Sequence, residues 1–420
     1  MRLNLTKILK GDRIIWTVIM ILFLVSLVSV YSSTGNLAYK KMSGDTMYYL
    51  IRQFRFILIG LLVIYGVHLI PYKYFNWISN LALWVAVPLL FYTLVYGKDF
   101  NEASRWLYIP GMGSRTFQPS EFAKVALLMY LAKNMAGMQD KEIDMRTFFL
   151  KFIGPVALVT LLILPANLST AAIIFTVAFI MLFVGRMPMK YMGMIVLVGA
   201  LGVSIFLLIL NRTDADVDDR RGTWQTRIET YLTGEGDNFQ SDQAKVAIVR
   251  GGLLPNGPGS STQRNLLPHP YSDFIFAIII EEYGSVLGGL ALIILYLWLL
   301  FRTGMIVRKS KSTYAAFLAF GLALGLVFQA FVNMGVTVGL LPVTGQTLPL
   351  VSMGGTSVVF TSMALGMILS VSWGVRKELE AEEAAKVAAE AETAGEQTLA
   401  SEGISDTAAE EINLETDEAT

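Results

Sequence analysis

The 420-residue chain has no cysteine and only two histidines, His68 and His269. A disulfide, a thiolate metal site and a thiol nucleophile are all excluded, and two imidazoles cannot build a multi-His metal centre. Charge is scarce as well. Asp, Glu, Lys and Arg make up 16% of the residues, where a soluble protein carries about 25%. Apolar residues fill the space: the chain is 54% hydrophobic with a mean hydropathy of +0.55. They come in repeated runs of about 20, the length that crosses a bilayer as a helix. The last 45 residues are strongly acidic, so the zero net charge averages a basic body and an acidic tail.

The composition predicts an all-α polytopic membrane protein with about ten transmembrane helices. Candidate spans are roughly 14–32, 53–70, 78–96, 118–136, 149–165, 168–185, 191–210, 273–301, 313–334 and 352–373. The run from Ile14 to Val30 follows Arg2, Lys7, Lys10 and Arg13 and lacks a small-residue cleavage site, so it reads as an uncleaved first span. The fifth and sixth spans meet at "LPANLST", where Pro165 and Asn167 break a long apolar stretch. Short loops with Lys73, Lys133, Lys141, Arg146, Lys151, Arg186 and Lys190 fall on one side. The positive-inside rule makes that side cytoplasmic and puts both termini there. The expected organisation is a cytoplasmic N-terminus (1–13), a membrane domain (14–375) with a long outer loop at 211–272, and a disordered cytoplasmic tail (376–420).

The long loop has internal structure. "RRGTWQTRIETYLTG" spaces apolar residues along one helical face, as in an interfacial helix, and "FQSDQAKVAIVRGGLL" can form a second. "PNGPGSSTQ" reads as a plain turn before a phosphate cradle.

Carboxylates inside apolar runs are the residues to explain, because charge at membrane depth is expensive. Asp273 opens "SDFIFAIIIEEYG" at the mouth of the eighth span. Two readings fit: a helix N-cap, or a general base at the water–lipid boundary. Glu281 and Glu282 lie about 12–14 Å deeper along that helix and on other faces. They read as structural partners of a buried cation or a helix end. Glu121 and Lys124 stand one turn apart in "QPSEFAK"; they can pair with each other or join a buried polar network reaching the eighth span or the substrate. Arg105-Trp106 and Arg115 suit either interfacial anchoring or a clamp on a phosphate-bearing lipid. "NMGVTVGLLPVTGQTLPLVSMGGTS" carries too many Gly and Pro for an ordinary span. Such backbone survives at membrane depth only when buried in protein or lining a wet cavity, and a cavity lining is expected.

Four stretches together resemble the SEDS proteins (shape, elongation, division and sporulation), which include FtsW and RodA: "SRWLYIPGMGSRTFQPSEFAK", "RGGLLPNGPGSSTQ", "SDFIFAIIIEEYG" and "NMGVTVGLLPVTGQTLPLVSMGGTS". They span most of the membrane body in the family's order, and "TGQTLPLVSMGGTS" is nearer the division (FtsW) version. The resemblance implies a peptidoglycan glycosyltransferase that polymerises lipid II on the outer face of the bacterial inner membrane at the division septum. It implies work beside a class B penicillin-binding protein, a transpeptidase, and other division proteins. Membrane lipid surrounds it, and no nucleic-acid partner is expected. The family's proposed catalytic aspartate falls on Asp273. Arg105, Trp106, Arg115, Gln118, Glu121, Lys124, Ser352 and Gly354 fall on motif positions expected to bind substrate. No dedicated metal site is visible; a divalent cation, Mg or Mn, can share the pyrophosphate charge. The chain departs from many relatives at "PHPYSDF" (often PEAHTDF), at "PANLST" (often an acidic PD-x-GT) and at Met353 (often Tyr). Gly-Pro-Gly at 257–259 alters a Gly-rich turn. The alternatives are a lipid II flippase, a RodA-like polymerase for elongation, or a scaffold without chemistry.

Overall fold

A computed structural model describes residues 9–41, 45–100, 103–108, 116–139, 141–212, 231, 233 and 239–417. The chain divides into two compact units, residues 1–372 and 373–420.

The first unit begins where Asp12 caps helix α1 (Arg13–Ser33), its carboxylate accepting from the backbone N–H groups of Ile14 (2.9 Å) and Ile15 (3.1 Å). Helices α2 (Gly35–Lys41), α3 (Thr46–Leu69) and α4 (Tyr72–Tyr96) follow. A small sheet then appears that the all-helical reading did not anticipate. Strands β1 (Lys98–Phe100), β2 (Ala103–Tyr108) and β3 (Thr116–Phe117) form an antiparallel array in the order β1-β2-β3, with Lys98 opposite Trp106 and Leu107 opposite Phe117. The helices then resume with α5 (Pro119–Met138), α6 (Met145–Ile163, with a π-helical turn at Phe149–Ile153) and α7 (Leu168–Val184). The break expected at "LPANLST" is present: Asn167 caps α7 by accepting from the Thr170 N–H at 3.2 Å. Helix α8 (Met189–Arg212) leads into the long loop, where α9 (Phe239–Gly251) forms as expected. The proposed interfacial helix at "RRGTWQTRIETYLTG" falls almost wholly outside the described residues.

Among the described residues, seven helices are long and apolar enough to cross a membrane. Of the other three expected spans, α7 is 17 residues long and α8 is apolar over Met189–Gly202, while α5 carries Glu121, Lys124 and Lys133.

The expected span at 273–301 is corrected. The apolar stretch Ile275–Lys309 is 35 residues long, about 52 Å as one rod and well beyond a bilayer core. It does not run straight. Helix α10 (Ile275–Gly284) ends at Gly284, whose φ of 74° and ψ of 167° lie in a region essentially reserved for glycine. Beyond it the chain doubles back, since a methyl group on Gly288 would stand 2.6 Å from the Ile279 carbonyl oxygen. In a straight helix residues nine apart are about 13 Å apart. The π-helical segment Ser285–Leu290 and α11 (Ala291–Lys309) are together long enough to cross by themselves. Helix α10 is therefore a half-helix of the long loop, packed on α9 through the buried Ala244, Ala247, Phe274, Ala277 and Ile278.

Helix α12 (Thr313–Thr337) lies at the centre. Two-thirds of its apolar window is buried, against under a quarter for α3, and it packs on α5, α7 and α11. Helix α13 (Gly355–Asp417) completes the chain. Within residues 373–420 the tail is helical through Asp417. Alanine and glutamate are strong helix formers, and the pairs Arg376–Glu380 (3.6 Å) and Lys386–Glu382 (3.8 Å) sit at i,i+4 spacing.

Candidate active site

Asp273 sits in the turn between the long loop and α10 and is half-buried. It is not the N-cap: Phe274 holds that position and makes no side-chain cap bond. The turn itself is held from two sides. From α12, Asn333 Nδ2 donates to the Asp273 carbonyl at 2.8 Å. From the segment before α13, Ser352 Oγ donates to the Ser272 carbonyl at 2.6 Å and the Met353 N–H to the Tyr271 carbonyl at 2.9 Å. Ser272 Oγ donates to the Asp273 carboxylate at 2.8 Å. The carboxylate thus projects from a backbone that three neighbouring residues immobilise. Burial pushes the Tyr271 phenol above its usual range, and the nearby Tyr49 and Asp273 push the same way.

The Gly- and Pro-rich segment 338–354 explains how Asn333 and Ser352 come to be there. Its second half is buried in protein, which corrects the expected cavity lining at Gln346–Ser352. Gln346, Leu348, Leu350, Val351 and Ser352 are all buried. Side chains from surrounding helices satisfy its carbonyls, as irregular backbone at membrane depth requires. Gln329 donates to Thr347 O (3.0 Å), Asn333 to Gln346 O (2.7 Å), Tyr296 to Pro349 O (2.5 Å) and Ser26 to Val351 O (2.8 Å). Leu350 is held at φ 64°, a conformation uncommon for a non-glycine residue. Gln346 in turn donates to Thr170 Oγ1 (2.9 Å) and to Asn167 Oδ1 (3.3 Å). Asn167, at the position often acidic in relatives, therefore serves as a cap and an acceptor.

Glu121 and Lys124 form the expected pair, 3.0 Å apart and buried. Pro119 occupies the first turn of α5 and Gln118 its N-cap position, without a side-chain cap bond; the Gln118 amide donates to Ser120 Oγ at 3.2 Å. The pair is also part of a network, because Lys124 Nζ donates to Gln329 Oε1 at 2.6 Å. The pairing reading holds, and the network that the pair joins runs to Gln329 on α12.

The two deeper carboxylates hold structure, as expected, but the hydrogen bonds they accept come from hydroxyls and backbone N–H groups. Glu281 accepts from Ser261 Oγ, from Thr262 N (3.1 Å) and Oγ1 (3.2 Å), and from Gln263 N (3.3 Å). Glu282 accepts from Ser32 Oγ on α1, and its carbonyl takes the Asn256 and Gly257 N–H groups, both at 2.9 Å. Arg264 Nη1 donates to Ser32 O at 3.1 Å. The turn read in "PNGPGSSTQ" is thereby tied to α10 and α1, and Gly257 and Gly259 adopt positive φ within it.

Set beside known proteins, the chain matches the family model for "Cell cycle protein" (FtsW, RodA and SpoVE) over residues 12–377. The chain belongs to this FtsW/RodA/SpoVE family. A probable peptidoglycan glycosyltransferase FtsW from Geobacter metallireducens is 34% identical, covering 88% of this chain and 97% of that protein. Stage V sporulation protein E from Bacillus subtilis is 31% identical over 87% of this chain and 98% of its own. Among solved structures, a chain from a study of "polymerization and crosslinking by a peptidoglycan synthase complex" aligns with a TM-score of 0.68 at 25% identity, covering 87% of this chain and 98% of that one. The rod shape determining protein RodA of Thermus thermophilus shares the fold, with a TM-score of 0.62 at 24% identity, over 86% of this chain and 96% of its own.

Of the FtsW/RodA/SpoVE motif residues, α12 joins Asp273, through Asn333, with Lys124 and its partner Glu121, through Gln329, while Ser352 bonds the Ser272 carbonyl. Arg105 and Trp106 are neighbours on β2, Trp106 half-buried and opposite Lys98. Arg115 lies outside the described residues. Gly354 is half-buried, and a methyl group there would meet only Ser357 Cβ at 3.5 Å, an ordinary contact. Sequence reasoning passed over Gln329 and Asn333. Their signal was present: two amides at i,i+4 spacing in an otherwise apolar span.

Proposed function

We propose that this chain is a peptidoglycan glycosyltransferase of the division type, polymerising lipid II into glycan strands. Family membership and the named relatives support the activity. The observation that carries the site is a half-buried carboxylate, Asp273, at one end of a membrane bundle on a backbone pinned from two elements. In this reading the acceptor sugar's 4-hydroxyl attacks the anomeric carbon of the donor muramyl unit. The new C–O bond forms as the bond to undecaprenyl pyrophosphate breaks. Asp273 takes the hydroxyl proton, a role typically worth about 10²–10⁴-fold. Arg105, Arg115 and Lys124 supply positive charge for the departing pyrophosphate, with Trp106, Gln118, Glu121 and Gly354 around the substrate; Ser352, expected there too, instead holds the turn that carries Asp273. A single displacement inverts the anomeric centre, as suits one base rather than a close carboxylate pair.

Mg or Mn bound to the pyrophosphate can share that charge. Among the described residues no group of three or more His, Asp or Glu side chains is placed to cage a metal ion. A class B penicillin-binding protein is the proposed partner, supported by a solved relative from a polymerising and crosslinking complex. We place the chain in the inner membrane at the septum, with both termini cytoplasmic and β1–β3 and the long loop outside.

The test is polymer formation from lipid II by purified protein with its partner. Asp273→Ala is expected to abolish polymer while folding normally; full activity in that variant refutes the assignment. Passage of labelled lipid II across protein-containing liposomes without polymer would instead favour a flippase.

A further inference from the structure

We propose that Asn333 is a positioning residue for Asp273, and that α12 acts through it as the ruler between the two ends of the site. The inference rests on the glycosyltransferase reading and adds a residue to it. Three observations carry it. Asn333 is 1% exposed at the centre of the bundle, where an amide survives only if it is hydrogen-bonded. Its single Nδ2 group spends both hydrogens on backbone carbonyls of two different segments, Asp273 O at 2.8 Å and Gln346 O at 2.7 Å. One turn earlier on the same helix, Gln329 repeats the pattern, donating to Thr347 O at 3.0 Å while accepting from Lys124 at 2.6 Å.

The two amides thus form a ladder. One rung holds the backbone that carries the carboxylate, and the other holds the buried ammonium. Both hold consecutive carbonyls of the same irregular segment, which would otherwise lie unsatisfied. A rigid helix fixes the separation of the rungs at about 6 Å. Asp273 itself stands outside regular structure, in the turn before α10, so its place is not set by a helix of its own. Ser352 holds the Ser272 carbonyl from the far side. The carboxylate position follows from these contacts, and a displacement of about 1 Å in such a group can cost about 10²-fold in rate.

The experiment compares Asn333→Leu, Asn333→Asp and Asn333→Gln in lipid II polymerisation by the full chain with its partner, with thermal unfolding of each. Leu keeps the bulk without donors, Asp keeps the shape with oxygen in place of the donor, and Gln keeps both N–H groups on a longer arm. The expected result for Leu and Asp is a kcat lower by roughly 100-fold with KM for lipid II within about twofold of wild type, and at least a tenfold recovery in Gln. Turnover within about threefold of wild type in folded Leu and Asp variants overturns the proposal. A rise in KM at constant kcat overturns it too, since the amide would then act in binding. Failure of all three to fold would make Asn333 a folding determinant and also reject the positioning role. Asp273→Ala, measured in parallel, separates the levels. If it polymerises normally the general-base reading falls; if it is inactive while Asn333→Leu is active, only the positioning role falls.

Discussion

Replacing Glu281 with Gln tests the division of labour among the three carboxylates around α10. The Glu281 carboxylate takes four donors: Ser261 Oγ, Thr262 N, Thr262 Oγ1 and Gln263 N. Glutamine has nearly the same shape, but one oxygen becomes an NH2 group that faces donors. Two of the four contacts then lack an acceptor. A hydrogen bond to a charged group contributes about 1.5–3 kcal/mol, so the loop should lose roughly 3–6 kcal/mol of local stability. The destabilised segment is 256–265, with its further ties to Glu281 O through Asn256 (3.0 Å) and to α1 through Arg264. The assay is thermal unfolding of the purified protein together with limited proteolysis of that loop. Cleavage should accelerate strongly in Glu281→Gln. Asp273→Asn, whose backbone contacts do not use the carboxylate, should stay within about 1 kcal/mol of wild type. Equal protease resistance in wild type and Glu281→Gln would refute the claim that this carboxylate holds the loop.

Lys124→Met should destabilise the bundle by about 3–5 kcal/mol, because Glu121 is left as an unpaired buried charge. Adding Glu121→Gln should recover at least half of that loss, read as a non-additive double-mutant cycle. Gly284→Ala should cost about 2–4 kcal/mol in unfolding measurements. The residue's φ is 74°, and a methyl group would stand 2.6 Å from the Leu253 carbonyl oxygen. Tyr271 sets a pH dependence. Its folded-state pKa lies above the unfolded value of about 10, so its contribution to stability is intact below pH 10 and is lost as the pH rises through the higher folded value. Tyr271→Phe should flatten the stability profile above pH 10, and ultraviolet titration should show one fewer late-ionising phenol.

Much of the membrane architecture was legible because its causes are local. Apolar runs of bilayer length, Asn167 between two of them, and the Gly-Pro-Gly turn each announce an element through the residues that make it. The motif stretches placed Asp273, Glu121 and Lys124 in one family pattern before any geometry was known. The eighth span was misread because hydropathy does not register direction: Ile275–Lys309 is apolar throughout, and only the positive φ of Gly284 and the contact of Gly288 with Ile279 reveal the reversal. The β1–β3 sheet was missed because its strands are 3, 6 and 2 residues long, too short for a period-two pattern to emerge.

The sequence by itself determined that this is a helical membrane protein of the FtsW/RodA/SpoVE pattern, and which carboxylates needed explaining. Hydrophobicity and motif spacing are written along the chain. Tertiary structure decided which carboxylate stands on a pinned turn and which accept from the long loop and from α1. Asp273 owes its hold to Asn333, 60 residues away, and Glu282 meets a serine 250 residues before it. Such partners are chosen by packing in three dimensions, and spacing along one helix carries no record of them.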